Sequence, residues 1–310
     1  MFSKSEQTNN AIMAGKLFKL LLFFSAGGLI LFVSFAAYIY IASERYLGDV
    51  VAHQGFEYSA ELDAETLERG RHIARTRGCF GCHGQELQGA VFSEEWGWVG
   101  TAVAPNLAKY ARQHDAVTIE AAVRQGIGHD GKALWSMPSY NFVLMNDNDL
   151  TALIAFLRSA PVVEKPLPEP DIGWEARYLM ASGQAQHMAD WADLMPPLLL
   201  GQDDPPNLVR GEYLAKTTCN ECHGFDLRGQ EDFPPIPDLA IVAAYTDEDF
   251  RHLMRTGEAI GGRKDLGLMS IVAKDRFASF THWELRDLLS YLRTLPDQPV
   301  DEDAAWRQLR

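Results

Sequence analysis

A five-residue pattern, Cys-x-x-Cys-His, occurs twice in the chain and constrains its fold more than any other feature. It stands at residues 79–83 as CFGCH, here called motif one, and at residues 219–223 as CNECH, called motif two. On a helical turn, residues i and i+3 lie on the same face, so both thiols of a motif can reach one edge of a porphyrin. The pattern is the attachment signature of c-type haem.

The cysteines and the histidine of each motif are the expected attachment residues: Cys79, Cys82, His83, Cys219, Cys222 and His223. The two cysteines would form thioethers with the vinyl groups of one haem, and the histidine would supply one axial nitrogen to its iron. The opposite axial position would be filled by another side chain or by a substrate. The motifs therefore predict two covalently bound haem c groups, with His83 and His223 as metal ligands.

Two other uses of paired cysteines are weaker interpretations. Zinc modules usually separate their cysteine pairs by about 15–20 residues, whereas more than a hundred residues lie between motif one and motif two. A dithiol redox site would explain one Cys-x-x-Cys pair but not two, and it would leave the adjacent histidines without a role. Haem attachment accounts for both pairs and both histidines.

The N-terminal part of the chain carries a long apolar run, because residues 20–43 contain no Asp, Glu, Lys or Arg. As a helix at about 1.5 Å per residue, the run would extend roughly 36 Å, enough to cross the hydrocarbon core of a bilayer. A cleavable signal peptide is the alternative, but its apolar region is usually only about 7–15 residues long. We therefore expect an uncleaved anchor. Lysines at positions 4, 16 and 19 precede it, so the positive-inside rule predicts that residues 1–19 are cytoplasmic.

The sequence around the two motifs is repeated. The matching segments are HGQELQG (83–89) with HGFDLRG (223–229), PNLA (105–108) with PDLA (237–240), and VRQG (123–126) with MRTG (254–257). Each half closes with an amphipathic helical pattern, at residues 149–158 and 284–293. Thr281 and Glu284 form a capping-box pattern at the start of the second of these helices. The chain therefore contains two copies of one small helical domain.

Each half resembles a class I cytochrome c domain, in which an N-terminal helix, the haem motif, a Pro-Asn/Asp-Leu loop, a methionine loop and a C-terminal helix follow one another. The resemblance covers residues 65–161 and 207–296, and the whole chain resembles the membrane-anchored dihaem cytochromes c of bacterial respiratory and dehydrogenase systems. It implies a single-pass protein of the bacterial inner membrane, with haem attached after export and both haem domains facing the periplasm. It also implies that Pro105 and Pro237 brace the axial histidines.

The expected fold is all-α, an N-terminal transmembrane helix followed by two tandem cytochrome c domains. The expected segments are a cytoplasmic N-terminus (1–19), a transmembrane anchor (20–43), a stalk (44–64), domain one (65–161), a Pro-rich acidic linker (162–206) and domain two (207–310). The prolines of the linker make it semi-rigid. Within it, residues 174–200 carry methionine and aromatic side chains that would pack a short helix between the two domains.

Methionines on corresponding loops are the expected sixth ligands. In domain one the choice is between Met137 and Met145, and Met145 directly precedes Asn146, a good N-cap, which gives it a packing role as a hydrophobic staple. Met137 is therefore the expected ligand, and the resemblance also places the ligand on its loop. In domain two, Met254 lies in a helical pattern, whereas Met269 lies on the equivalent loop and is the expected ligand.

Domain two departs from domain one in one respect that keeps alternatives open for its sixth ligand. It lacks the proline that follows Met137, so His252 and His282 remain alternatives to Met269. With methionine opposite histidine, both axial positions are filled, and a haem of this kind passes electrons instead of activating a small molecule.

The expected function is that of an electron-transfer protein and not of an enzyme. The chain would relay electrons between a dehydrogenase or quinol oxidoreductase and an oxidase or soluble cytochrome, or serve as the cytochrome subunit of such a complex. A dihaem peroxidase or a thiosulfate-oxidising cytochrome is the alternative, and an open sixth position on one haem would distinguish it. The formal net charge of −14 argues against nucleic acid as a partner. It suits either a basic protein partner or simple solubility.

Overall fold

The computed structural model describes residues 4–59, 62–92, 100–230 and 235–308. Helices dominate this part of the chain: α1 (Lys4–Gly48), α2 (Ala64–Thr76), α3 (Cys79–His83), α4 (Leu107–Gln113), α5 (Ala116–Glu120), α6 (Asp147–Ser159), α7 (Trp174–Ala181), α8 (Met188–Asp193), α9 (Pro206–Lys216), α10 (Asn220–His223), α11 (Asp247–Thr256), α12 (Leu268–Asp275), α13 (His282–Leu292) and α14 (Ala305–Gln308). The expected mostly helical fold, with a long apolar N-terminal helix before two domains, is confirmed.

Shorter elements connect these helices. A π-helical turn, Ala121–Gln125, follows α5. A 3-10 turn, Ser139–Phe142, follows the methionine loop of domain one. Further 3-10 turns in the described residues are Leu239–Ala244, Ile260–Gly262, Phe277–Ser279 and Leu295–Asp297. Four strands of two residues form two antiparallel pairs: β1 (Ala90–Val91) with β3 (Val103–Ala104), and β2 (Gly100–Thr101) with β4 (Asp171–Ile172). The second pair ties the linker to domain one.

Helix α1 presents an apolar surface to its surroundings along most of its length. The segment Gly15–Gly48 is long and apolar enough to cross a membrane, as a membrane span or as a signal sequence. Side chains become buried only toward its end, where Ile39, Ser43 and Leu47 pack against protein. Residues 1–3 of the expected cytoplasmic segment lie outside the described residues.

Each domain is built on the crossing of its first and last helices. In domain one α2 crosses α6, and in domain two α9 crosses α13. A glycine lies at each contact point: a Cβ added at Gly70 would overlap the carbonyl oxygen of Ala152, and one added at Gly211 would overlap that of Asp287. Only glycine lets the two backbones approach so closely. Each crossing lies within the hydrophobic core of its own domain, and the cysteine at the start of each motif packs against that core.

The starts of the two closing helices follow the sequence expectation. Asn146 caps α6 by accepting a hydrogen bond from the amide of Asp149, and Thr281 forms a complete capping box with Glu284 at α13. The residues before these caps, Met145 and Phe280, are almost fully buried. The predicted capping box and the packing role of Met145 are confirmed.

The segment 44–64, expected to be a stalk, packs against domain one instead of lifting it away. Its first residues belong to α1, and Leu47 lies in a cluster with Ile127 and Ala133 of domain one. Further on, Phe56 is buried in the core of domain one, where its apolar ring is removed from water. Residues 60 and 61 lie outside the described residues.

The linker also packs mainly on domain one and on α1, and it contains two helices where one was expected. Helix α7 runs along α1, and Arg177 donates hydrogen bonds to Ser43 and Glu44. Helix α8 packs against the π-helical and 3-10 turns of domain one. Of the expected aromatic residues, Trp191 reaches domain two, where its ring lies edge-on to that of Phe225 at 6.1 Å.

The glycine at the α2–α6 crossing generates a stability prediction. Gly70→Ala should lower the free energy of unfolding by about 1–3 kcal/mol, because the added methyl group forces the two helices apart. The measurement is thermal unfolding of the full-length protein followed by circular dichroism. Gly201→Ala is the matched control, because nothing lies within 4 Å of a Cβ at that position. Equal melting temperatures for the two variants would contradict the close-crossing explanation.

Candidate haem sites

The thiols of each motif lie within one helical turn. Motif one coincides with α3, and motif two begins at Cys219, the residue that precedes α10. All four cysteines are free thiols, so neither pair is a disulfide. Burial raises the pKa of Cys79 to about 11 and that of Cys219 to about 12. These thiols are therefore protonated at neutral pH, unlike the reactive thiolates of dithiol redox sites.

The imidazole of each motif is held by a backbone carbonyl. Nδ1 of His83 lies 2.8 Å from the carbonyl oxygen of Pro105, and Nδ1 of His223 lies 2.9 Å from that of Pro237. When Nδ1–H donates this bond, the lone pair of Nε2 is left for a metal ion. Burial lowers the pKa of both imidazoles, which favours the neutral form that can ligate iron. The bracing role implied for the two prolines is confirmed.

The loop after each motif repeats one unusual conformation. Leu87 and Leu227 have positive φ angles, 58° and 66°, although neither is a glycine. Each leucine is buried, and its carbonyl accepts a 2.9 Å bond from the amide of the leucine that follows the proline loop. Burial of the leucine side chain offsets the cost of the left-handed backbone. The pair of leucines therefore fixes the proline carbonyls opposite the imidazoles.

Sequence reasoning found the repeated segments around these leucines but missed what the leucines do. The available signal was a leucine two residues before a glycine at the same distance from both histidines. The amides of those glycines, Gly89 and Gly229, bond the carbonyls of His83 and His223 at 2.7 and 2.8 Å. These bonds connect the end of each turn to the histidine of its motif.

The four methionines of the two domains separate into buried and half-buried ones. Met145 and Met254 are buried in the cores. Met137 and Met269 are only partly buried and pack against the same clusters as Cys79 and Cys219, respectively. Each expected sixth ligand therefore lies against the core that carries the attachment cysteine of its own domain.

Met269 differs from the expectation in one respect, because it is the second residue of helix α12 and does not lie on a loop. The physical reason is the residue that follows each methionine. Pro138 after Met137 has no amide hydrogen and disfavours a helical conformation in the residue before it, whereas Ser270 after Met269 allows a helix to begin.

The two histidines that were alternatives to Met269 lie on the surface. His252 is exposed, and its ring nitrogen lies 3.5 Å from the carboxylate of Glu258. His282 begins α13 with its ring edge-on to that of Trp283. Both histidines are exposed to solvent.

Two contacts between equivalent positions join the domains. His72 of α2 contacts Glu284 of α13 at 2.8 Å, and Tyr213 of α9 donates a 2.5 Å hydrogen bond to Asp149 of α6. His72 and Tyr213 occupy equivalent positions, two residues after the crossing glycine of each domain. Asp149 and Glu284 are equivalent as well, because each lies three residues after a helix cap. One contact is therefore made twice.

This arrangement brings the two motifs to the boundary between the domains. Helix α10 of motif two packs against the 3-10 turn that follows the methionine loop of domain one. In that turn, the amide group of Asn141 lies 3.4 Å from the carboxylate of Glu221 in motif two, and the ring of Tyr140 lies 5.6 Å from that of Phe225. The repeat gave no signal for these contacts, because they join positions that differ between the two halves.

An ion pair lies at the boundary, next to both motifs. Arg276, which directly follows α12, donates a 3.0 Å bond to Glu221. Burial raises the pKa of Cys82 and of Cys222, the negative charge of Glu221 raises each further, and the positive charge of Arg276 opposes that shift. Both charges therefore act on the second cysteine of both motifs.

The residues of each site fit a covalently attached haem. The thiols are free and lie on one turn, the imidazole presents Nε2, and a methionine packs against the same core. In a comparison with protein families, the Cytochrome c family matches residues 67–161 and 208–296, which together make up more than half of the chain. Among curated proteins, none matches the chain significantly.

Proposed function

Because the chain belongs to the cytochrome c family, and is therefore a haem c electron-transfer protein, we propose that it is a membrane-tethered dihaem cytochrome. It relays electrons in the periplasm from a dehydrogenase or quinol oxidoreductase to an oxidase or a soluble cytochrome. One observation carries the proposal: two attachment motifs with the same local geometry meet at the boundary between the two domains. The haem supplies one-electron chemistry when bound.

The proposed axial ligands are His83 with Met137 in domain one and His223 with Met269 in domain two. Support comes from the proline carbonyls that orient the imidazoles and from the half-buried methionines against each core. With both axial positions filled by protein, each site favours electron transfer over the binding of a small molecule. The six attachment and ligand positions of the two motifs then hold two haems per chain.

The proposed entry point for electrons is domain one. Its methionine loop is joined to the end of α1 by a 2.7 Å bond from the amide of Ala133 to the carbonyl of Leu47. A second bond, 2.8 Å from the amide of Met188 to the carbonyl of Leu134, joins it to α8. If α1 is the anchor, this domain lies at the membrane surface, where it can meet a membrane-bound donor.

The proposed exit point is domain two, whose methionine side is open. Leu268 and Ile271, which flank Met269 on α12, are 62% and 57% exposed. The corresponding side of domain one is covered by the linker helices. Exposed apolar side chains beside a redox centre suit contact with a protein acceptor.

The proposal predicts two haems per chain. A haem assay on denatured, purified protein should return two covalently bound groups per polypeptide. Cys79→Ala should reduce attachment in domain one only, and Cys219→Ala in domain two only, because each motif holds its own haem. A single haem in the parent protein would refute the two-haem relay.

Axial ligation by methionine predicts the spin state of each haem. The parent protein should be low-spin at both haems, with negligible peroxide or thiosulfate turnover, because an exogenous ligand must first displace a methionine. Met137→Ala should open haem one, lower its potential and create ligand binding, and Met269→Ala should do the same at haem two.

The control for these variants is Met145→Leu, which alters a buried methionine with a packing role. It should leave both haems low-spin, as magnetic circular dichroism and absorption spectra would show. A parent protein with one high-spin haem and rapid peroxide or thiosulfate chemistry would favour the enzyme alternative and contradict the relay.

The anchor proposal predicts the topology of the full chain. The protein should fractionate with membranes, and protease added to spheroplasts should digest both haem domains, because α1 crosses the inner membrane with its lysine-rich end inside. Cleavage after α1 to give a soluble mature protein would show that the helix is a signal sequence. Protection of the haem domains from protease would contradict the periplasmic location.

A further inference from the structure

The segment that leads into motif one lies directly against an arginine of domain two. A Cβ added at Gly78 would overlap the guanidinium carbon of Arg276, and one added at Gly81 would lie 3.8 Å from its Nη2 atom. The side chain of Arg276 is only 18% exposed. The absence of side chains at the two glycines therefore allows a cation from domain two to lie on the backbone of motif one.

The partner of this arginine belongs to motif two. Glu221 is the residue between Asn220 and Cys222, and its Oε2 atom accepts a 3.0 Å bond from Arg276. The same oxygen lies 3.4 Å from the side-chain amide of Asn141 in domain one. The ion pair thus contacts both motifs and both domains at one point.

We propose that the Arg276–Glu221 ion pair positions the two attachment motifs against each other and that its two charges set the reduction potentials of both haems. The inference rests on the proposed two-haem relay. Reduction adds a negative charge to a haem, so a nearby cation favours the reduced state and a nearby anion favours the oxidised state. Because the pair is largely buried, these effects are screened less than they would be in water.

The two roles can be separated because the partners carry opposite charges. Arg276→Gln and Glu221→Gln break the same ion pair, so loosening of the interface alone would shift the potentials in the same direction in both variants. If the charges act on the haems, Arg276→Gln lowers the midpoint potentials and Glu221→Gln raises them. Arg276→Lys keeps the charge and should leave the potentials close to those of the parent.

The experiment is a spectroelectrochemical titration of the full-length haem-loaded protein in detergent. The matched controls are Arg293→Gln and Asp247→Asn, which remove the same two charges from another ion pair of domain two, 2.8 Å long and more exposed. These controls should leave both potentials unchanged. Shifts of opposite sign in the Arg276 and Glu221 variants, absent from the controls, are the expected result.

Same-sign shifts, no shift, or equal shifts in the controls would overturn the inference while leaving the relay intact. Failure of the relay itself would be visible earlier, because the parent would then lack two low-spin haems that titrate reversibly, and both proposals would fall. If Arg276→Gln does not accumulate with two haems, the inference is still tested by comparing the potentials of Glu221→Gln with those of the parent and of Asp247→Asn. A rise of potential confined to Glu221→Gln supports the inference, and no rise refutes it.

Discussion

The close crossing of the first and last helices at a glycine is the constraint on which each domain depends. It brings two backbones into contact at Gly70 and at Gly211, and the core of each domain assembles around that contact. The motif follows the first helix after one short turn, so the position of the crossing also fixes where the thiols and the imidazole lie. The methionine side is fixed by the second helix, through the buried residue that precedes its cap. Both sides of each site therefore depend on one crossing.

Much of this architecture could be predicted from the sequence, because it depends on short patterns of neighbouring residues. The motif spacing, the caps at Asn146 and Thr281 and the repeated loops each involve residues near one another in the chain. The conformation of Leu87 could not be predicted in this way, because a positive φ at a leucine is stable only through burial. The helix that begins just before Met269 has no counterpart in domain one, because Pro138 keeps Met137 on a loop, whereas Ser270 allows the chain to become helical.

The contacts between the domains could not be predicted from the sequence. The His72–Glu284 and Tyr213–Asp149 contacts join residues far apart in the chain, and no periodicity links them. They are nevertheless a consequence of the repeat, since two similar domains can bury equivalent faces against each other. The linker is packed against protein and is not a free spacer between the domains. It lies on domain one, and it thereby makes the two methionine sides unequal, although the domains themselves are alike.

The Arg276–Glu221 ion pair at this interface is not well explained by stability alone. Burying two charges removes their hydration, and the attraction between them often only offsets that cost, so an apolar pair of similar size would serve a structural purpose as well. A charge, unlike an apolar side chain, acts over several ångströms on any group nearby whose own charge changes. Cys82 and Cys222 both lie within the field of Arg276 and Glu221. In a two-haem relay, a field that acts on one cysteine of each motif would reach both haems, which is a reason to keep charges where the two motifs meet.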